Sequence, residues 1–283
     1  METVIRVRKL KPDLSVDGSV KEMTISGPDS GGQGVELATE MSGLVDPVSE
    51  AYTRSPGGRP GTNLVSTRFA ERNVVFRVTI LGDSDQWFKN EREWRRLWEY
   101  DGYTEIDVQT VNARRVLRVR LESYEVDTEY DPAVMGATDV VMSVVADDPF
   151  WYNFTELRSS GDKIAPGASK TYSLGNEAHS AVYPRFRIPT KDTASPEASV
   201  KLSYDGRVST LPTPTLLGKA MYEMNTDPGS RQWTSAKDPN VWGRMNGIRY
   251  DVTNTERASK LVITSSLDRP VEAFVTVPYL RPW

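Results

Sequence analysis

Cysteine is absent from this chain of 283 residues, and histidine occurs once, at His179. The first absence excludes disulfides, thiolate metal sites and cysteine nucleophiles, and fits synthesis in a reducing cytoplasm. The second removes most of the usual acid–base and metal-ligand chemistry. Long apolar runs are missing too. No window approaches the roughly 18 residues of a spanning helix, and the opening segment mixes apolar with basic residues, so a soluble chain without a secretory leader is expected. Nor does one sign of charge dominate: 35 basic and 39 acidic side chains leave a net charge of −4, which gives no general affinity for phosphate backbones. There is no P-loop, no G-x-G-x-x-G after a strand and no H-E-x-x-H, so phosphate, dinucleotide and zinc-protease readings have no support.

What is present describes an ordinary globular protein, with 38% hydrophobic and 26% charged residues. The length exceeds what one core usually organises and points to two domains, 1–152 and 153–283. Val4–Arg8 and Val20–Ile25 read as strands of a hairpin. From Gly27 to Gly61 the chain is crowded with Gly and Pro and reads mostly as an extended loop, interrupted by a short strand at Val35–Ala38. Asn73–Ile80 is a strand. After it, Trp87, Phe88, Trp94, Leu97 and Trp98 recur at helical spacing, predicting one helix over 84–100 capped by Asp83 or Ser84. Strands follow at Thr104–Thr110, Arg115–Tyr124 and Asp139–Ala146. The middle one places Leu117, Val119 and Leu121 on one face and Val116, Arg118 and Arg120 on the other. Helix and strands show no regular βαβ alternation, so the first domain is expected to be a mainly antiparallel barrel or sandwich with one inserted helix. Asp148, Pro149, Phe150 and Trp151 close it and are expected near a domain junction. Short strands at Lys170–Leu174, Arg185–Ile188, Ser199–Tyr204, Lys260–Thr264 and Val271–Val277 suggest a β-sandwich for the second domain, with Thr210–Tyr250 unassigned.

In this order, the strand Asn73–Ile80, the Trp- and Arg-rich helix running to Arg95-Arg96-Leu97-Trp98, the later strands, the segment Ala146–Tyr152, and Tyr183-Pro184-Arg185-Phe186 resemble the distal tail proteins of siphophages. The resemblance implies a mainly β fold: an N-terminal split β-barrel that forms a hexameric ring, and a galectin-like C-terminal β-sandwich. It also implies a structural, non-enzymatic role in the virion, at the tail tip between tail tube and baseplate. The implied partners are further copies of the chain in a homohexamer, the tail tube protein, the tape measure protein and tip or hub proteins. DNA would pass through the lumen without specific binding, and no membrane is involved.

Trp87, Trp94, Leu97 and Trp98 share a helical face and are expected to pack. His179 lacks any triad signature and reads as a loop histidine. Asp147 and Asp148 are adjacent on extended chain, so they point apart and cannot share a substrate. Asn225–Asp227 and Asp238–Asn240 could in principle hold calcium, but loops use these residues routinely, and no metal or cofactor is expected. Trp233, Trp242 and Tyr250 are the candidates for stacking on sugar rings, which motivates the alternative of a carbohydrate-binding module without catalysis. Arg6, Arg8, Lys9 and Lys11, and likewise Arg114, Arg115, Arg118 and Arg120, form basic clusters. In an acidic chain they read as solvated faces or subunit contacts facing Glu122, Glu125, Asp127 and Glu129.

Overall fold

The computed structural model describes residues 3–38, 41–58, 60–126, 131–175, 180–191, 199–204, 206–245 and 258–283. The chain divides into two compact units, Met1–Phe154 with Leu280–Trp283, and Thr155–Tyr279. Both are mainly β.

The first unit contains β1 (Val4–Lys9), β2 (Met23–Ser26), β3 (Val35–Leu37), β4 (Ser49–Arg54), β5 (Asn63–Phe69), β6 (Arg72–Leu81), α1 (Ser84–Arg95), β7 (Thr104–Gln109), β8 (Arg114–Val126), α2 (Pro132–Met135), β9 (Ala137–Ala146) and β10 (Trp151–Asn153). The main path runs β2-β1-β7-β8-β9-β6-β3, antiparallel throughout. β8 is the strand that joins two half-sheets. Its first part pairs with β7 on one side and β10 on the other, and its second part, from Arg120 onward, pairs with β9, with a register shift between Leu121 and Ser123 inside that ladder. An irregularity of this kind bends a strand and raises its twist, which lets a sheet curl. The two ends of the path meet through a side chain: Thr24 N–H donates to Gln33 Oε1 at 2.9 Å, and Gln33 Nε2 donates to the Glu22 carbonyl at 2.7 Å. The result is a nearly closed barrel.

Alternation fills it. Val74, Phe76, Val78 and Ile80 of β6, Leu117, Val119 and Leu121 of β8, and Val140, Met142 and Val144 of β9 are all buried. α1 adds Trp87 and Trp94, and Trp98 just beyond its end stands edge-on to Trp94 at 5.3 Å and tilted against Phe76 at 5.9 Å. Leu97 is fully buried, whereas Phe88 is exposed. The helix stops at Arg95, five residues short of the sequence expectation. Leu97 N–H turns back to the Trp94 carbonyl and Trp98 N–H to that of Arg95, a tightening of the last turn that lets Trp98 enter the core without further helix. Asp83 occupies the N-cap position in extended geometry but makes no side-chain cap bond, so neither expected cap operates as such.

The first residue of β6 is also buried. Arg72 donates from Nε to the Pro149 carbonyl at 2.7 Å, from Nη1 to the carbonyls of Gly43, Leu44 and Val45 at 2.8–2.9 Å, and from Nη2 to that of Leu280 at 2.8 Å. Burial pulls its pKa down to about 10, against the favourable charges of Asp46 and Asp148, so it stays a cation at neutral pH.

The second unit is a two-sheet sandwich of β11 (Asp162–Ile164), β12 (Ser169–Ser173), β13 (Arg185–Pro189), β14 (Ser199–Tyr204), β15 (Arg207–Pro212), β16 (Met221–Asn225), β17 (Trp233–Thr234), β18 (Lys260–Ser265) and β19 (Val271–Phe274). Five strands run β11-β19-β13-β16-β17 and four run β12-β18-β14-β15. Phe186, Ile188, Tyr222 and Met224 from one sheet meet Val200, Leu202, Leu261 and Ile263 from the other in one core. Within the previously unassigned stretch, β16, β17 and a 3-10 turn at Val241–Met245 are pinned by a buried carboxylate. Asp238 accepts the Tyr222 hydroxyl at 2.5 Å and ion-pairs with Arg244.

Two outcomes are expected. Arg72→Ala strands five carbonyls and should cost about 3–5 kcal/mol in denaturant melts, as for other buried charged networks broken on one side; Arg72→Lys should recover only part, and Arg77→Ala, in an exposed pair, should stay within about 0.5 kcal/mol. Asp238 is held below its ordinary 3.8 by the Arg244 hydrogen bond, against burial and with help from Tyr222. The folded state therefore binds fewer protons than the unfolded one in that range. Its stabilisation is complete above 3.8 and is lost as pH falls below it, so melts of Asp238→Asn should show a weaker acid dependence than wild type.

Candidate assembly surfaces

β4 and β5 form a hairpin that pairs with no third strand among the described residues. Its register runs from Ser49↔Phe69 to Arg54↔Asn63, with an irregularity between Tyr52 and Thr53. Every residue of β4 and nearly all of β5 are exposed, including Tyr52, Leu64 and Val65, and Val48 at the root is 68% exposed. The sequence expectation of an extended loop from Gly27 to Gly61 is thus corrected. β3 is present as expected, but the later Gly and Pro residues serve as the tip of an arm. A two-stranded ribbon with no covered face is marginal in water, and the exposed Tyr52, Leu64 and Val65 give this one an apolar surface.

Its root is firm. Ala70 N–H donates to the Val48 carbonyl at 2.9 Å, and Phe69 stands edge-on to Phe150 at 5.4 Å. Trp151, fully buried, donates Nε1–H to the Leu44 carbonyl at 3.1 Å, beside the carbonyls held by Arg72. Arg281 forks onto Asp46 at 2.9–3.0 Å, and that hydrogen bond lowers the Asp46 carboxyl pKa. Asp148 accepts the Tyr152 hydroxyl at 2.7 Å and the Phe150 N–H at 3.3 Å. The segment Asp148, Pro149, Phe150 and Trp151 thus lies inside the first unit, and the unit boundary falls three residues past Trp151, after Phe154.

The basic clusters are largely consumed internally. Arg8 Nη1 lies 2.7 Å from Asp107 and 3.3 Å from Glu105, and its Nε pairs with Glu22. Asp107 also receives the Arg114 fork at 2.6–3.1 Å, and the Arg114 guanidinium sits 3.5 Å from the centre of the Phe154 ring. The Arg8, Glu105 and Asp107 side chains are 7%, 1% and 0% exposed. Burial opposes the charge on Arg8, but its bonds to Asp107 and Glu22 win and raise its pKa. Sequence reasoning missed the acidic half of this network, because Glu105 and Asp107 alternate with Thr104, Ile106 and Val108 as a solvated face would. Lys9 pairs with Glu99, Arg120 with Asp147, and Arg115 donates to the Arg281 and Trp283 carbonyls. Beside the end of α1, Lys9, Arg95, Arg96, Trp98, Glu99 and Tyr100 line a mixed-charge groove of about 670 Å³.

The stacking candidates do not come together. Trp233 is 2% exposed and packs edge-on against Tyr222 at 6.2 Å, so it is a core residue and the sugar-contact expectation for it is corrected. Trp242 is 45% exposed on the 3-10 turn. Tyr250 and His179 lie outside the described residues. Asp147 binds Tyr103 and Arg120, away from the partners of Asp148. Asn225 and Asp227 are engaged in turn bonds to the following backbone, and no group of carboxylates or histidines suited to a metal ion occurs among the described residues.

No protein-family model matches the chain. It is 26% identical to the minor tail protein Gp27 of Mycobacterium phage L5 and 25% identical to that of Mycobacterium phage D29, in each case across 90% of this chain and 92% of the relative. Among solved structures, the Dit protein of phage SPP1, described as a paradigm of the hub adsorption apparatus in phages infecting Gram-positive bacteria, superposes with a TM-score of 0.58 at 14% identity, over 98% of this chain and all of that one. A chain of the phage P2 baseplate in its calcium-activated conformation gives 0.55 at 10% identity, over 99% of this chain and all of that one. The resemblance to siphophage distal tail proteins read from the sequence is borne out along nearly the whole chain.

The buried network has its own expected signature. Asp107→Ala leaves Arg8 and Arg114 facing each other with one strong acceptor removed, and should lower stability by about 3–5 kcal/mol in denaturant melts. Glu22→Ala, at the exposed end, should cost no more than about 1 kcal/mol.

Proposed function

We propose that this chain, similar along nearly its whole length to phage minor tail proteins and folded like a distal tail hub protein, is a structural component of a siphophage tail tip. Its barrel unit closes a ring, a homohexamer, between the tail tube and the baseplate, in contact with the tail tube, tape measure and hub proteins. The observation that carries the ring is the β4–β5 arm. A firmly rooted ribbon with exposed Tyr52, Leu64 and Val65 is a donor surface, and a donor that fits a different acceptor on an identical neighbour makes a head-to-tail contact, which closes into a ring when the rotation allows.

The work of such a ring is mechanical. The adjacent carboxylates Asp147 and Asp148 are engaged in separate internal hydrogen bonds. Copies carrying −4 each keep the ring acidic, and an acidic channel lets DNA pass without adhering. Burial of Trp233 weakens the carbohydrate-module alternative that rested on it.

Light scattering and negative-stain images of the purified chain, alone and with its tail tube protein, test the ring. Wild type is expected to form closed rings in at least one condition. The Tyr52→Ser, Leu64→Ser, Val65→Ser triple variant should keep its circular dichroism and melting behaviour, since these side chains contribute no core, and should lose rings at least tenfold. Monomers in both conditions, or rings indifferent to the triple variant, would overturn the proposal.

A further inference from the structure

The outer face of the five-stranded sheet in the second unit carries a cavity of about 220 Å³, smaller than the roughly 300–1,000 Å³ of drug-sized pockets but large enough for one sugar residue. Strand alternation builds it. Phe186 and Ile188 of β13 point into the core, which turns Arg185 and Arg187 outward, while Asn225 of β16 and Phe274 of β19 stand opposite Arg185 in the register. Arg231 and Thr234 close one side, and Ser159 the other.

Charge in this cavity runs against the rest of the chain. Arg187 is neutralised by Glu223 at 3.2 Å and Glu272 at 3.7 Å. Arg185 and Arg231 hold no ion pair among the described residues, in a chain with four more acidic than basic side chains. The guanidinium heads of Arg185 and Arg187 lie 5.8 and 5.3 Å from the centre of the Phe274 ring, an arrangement that fixes them before any ligand arrives. Phe274 is itself clamped. Gly161 adopts φ +82°, and a Cβ there would lie 2.7 Å from Phe274 Cζ, so only glycine lets the 159–161 loop close over the ring.

We propose that this cavity binds one oxyanion-bearing sugar residue, a uronic acid or a sugar phosphate, within a larger saccharide. Arg185 and Arg231 take the oxyanion, as planar forks suited to carboxylate and phosphate. The Asn225 amide and the hydroxyls of Thr234 and Ser159 line the same cavity and supply partners for the sugar hydroxyls. A concave site of this size suits a single ring better than an acidic protein surface, whose standard footprint is about 800 Å² per partner. The site does not depend on ring closure by the barrel unit, so its failure would leave that reading standing.

Calorimetric titration of the full-length chain with digalacturonic acid, galactose 6-phosphate, neutral galactobiose, inorganic phosphate and a hexaglutamate peptide tests it. At least one anionic sugar should bind ten or more times tighter than galactobiose, inorganic phosphate and the peptide, and binding should weaken with salt. Arg185→Ala and Arg231→Ala should each weaken it at least fivefold, while Lys170→Ala, whose partner is Asp162, should not; unchanged melting temperatures would confirm that the variants fold. Absence of binding by both anionic sugars, equal binding of galactobiose, phosphate or peptide, or indifference to both arginine variants would overturn the proposal.

Discussion

One guanidinium anchors both roots of the exposed arm of the barrel unit. Arg72 follows the arm by three residues, and the carbonyls of Gly43, Leu44 and Val45 that it binds precede the arm by a few more. Both roots of the ribbon are therefore tied to one charged group, which also holds Pro149 and Leu280. Carbonyl dipoles, with no carboxylate in contact, satisfy the planar fork. That geometry suits arginine and defeats lysine, whose ammonium cannot reach five acceptors in one plane. Gly43 belongs to the same device: at φ +80° a Cβ would fall 1.9 Å from the Asn73 carbonyl oxygen, so the loop can press against β6 only without a side chain.

The second constraint on the barrel is electrostatic. β7 presents acidic side chains on a face that the fold covers, and burying Glu105 and Asp107 alone would be prohibitive. Arg8 arrives from a strand 99 residues earlier and Arg114 from the neighbouring strand, so the carboxylates are neutralised only when β1, β7 and β8 are in register. Such a network adds little net stability over an apolar core, but it penalises a slipped register, which would leave the charges unpaired.

What the sequence revealed follows from the same physics. β6, β8 and α1 were legible because each has one buried face, and burial is what writes a period into a sequence. The arm was not. With neither face covered in the isolated chain, Ser49–Arg54 and Asn63–Phe69 carry no alternation, and Gly57, Gly58 and Gly61 at the tip drew the eye toward a loop. β7 is a strand as expected, but its alternation gives no sign that both faces are covered, because the covering partner lies far away in the chain. Trp233 shows the remaining limit: a tryptophan among Gly, Asp and Pro looks like a surface ring, yet pairing of β17 with β16 turns it inward against Tyr222. The order of elements carried the relationship to distal tail proteins where no single motif could.

The arm and its root together explain why a ring subunit would be built this way. A flexible donor must be ordered at each contact, and that ordering opposes association, whereas a ribbon fixed at both roots loses little freedom when its neighbour covers it. The same rooting would limit where the arm can reach, so in the proposed ring it would favour one rotation between neighbours. An exposed apolar ribbon is also an aggregation hazard. Here the hazard is contained by composition, because Glu50, Arg54 and Arg68 interrupt the apolar positions and Glu50 faces Arg68 across the ladder, which breaks the ribbon's apolar surface into small patches.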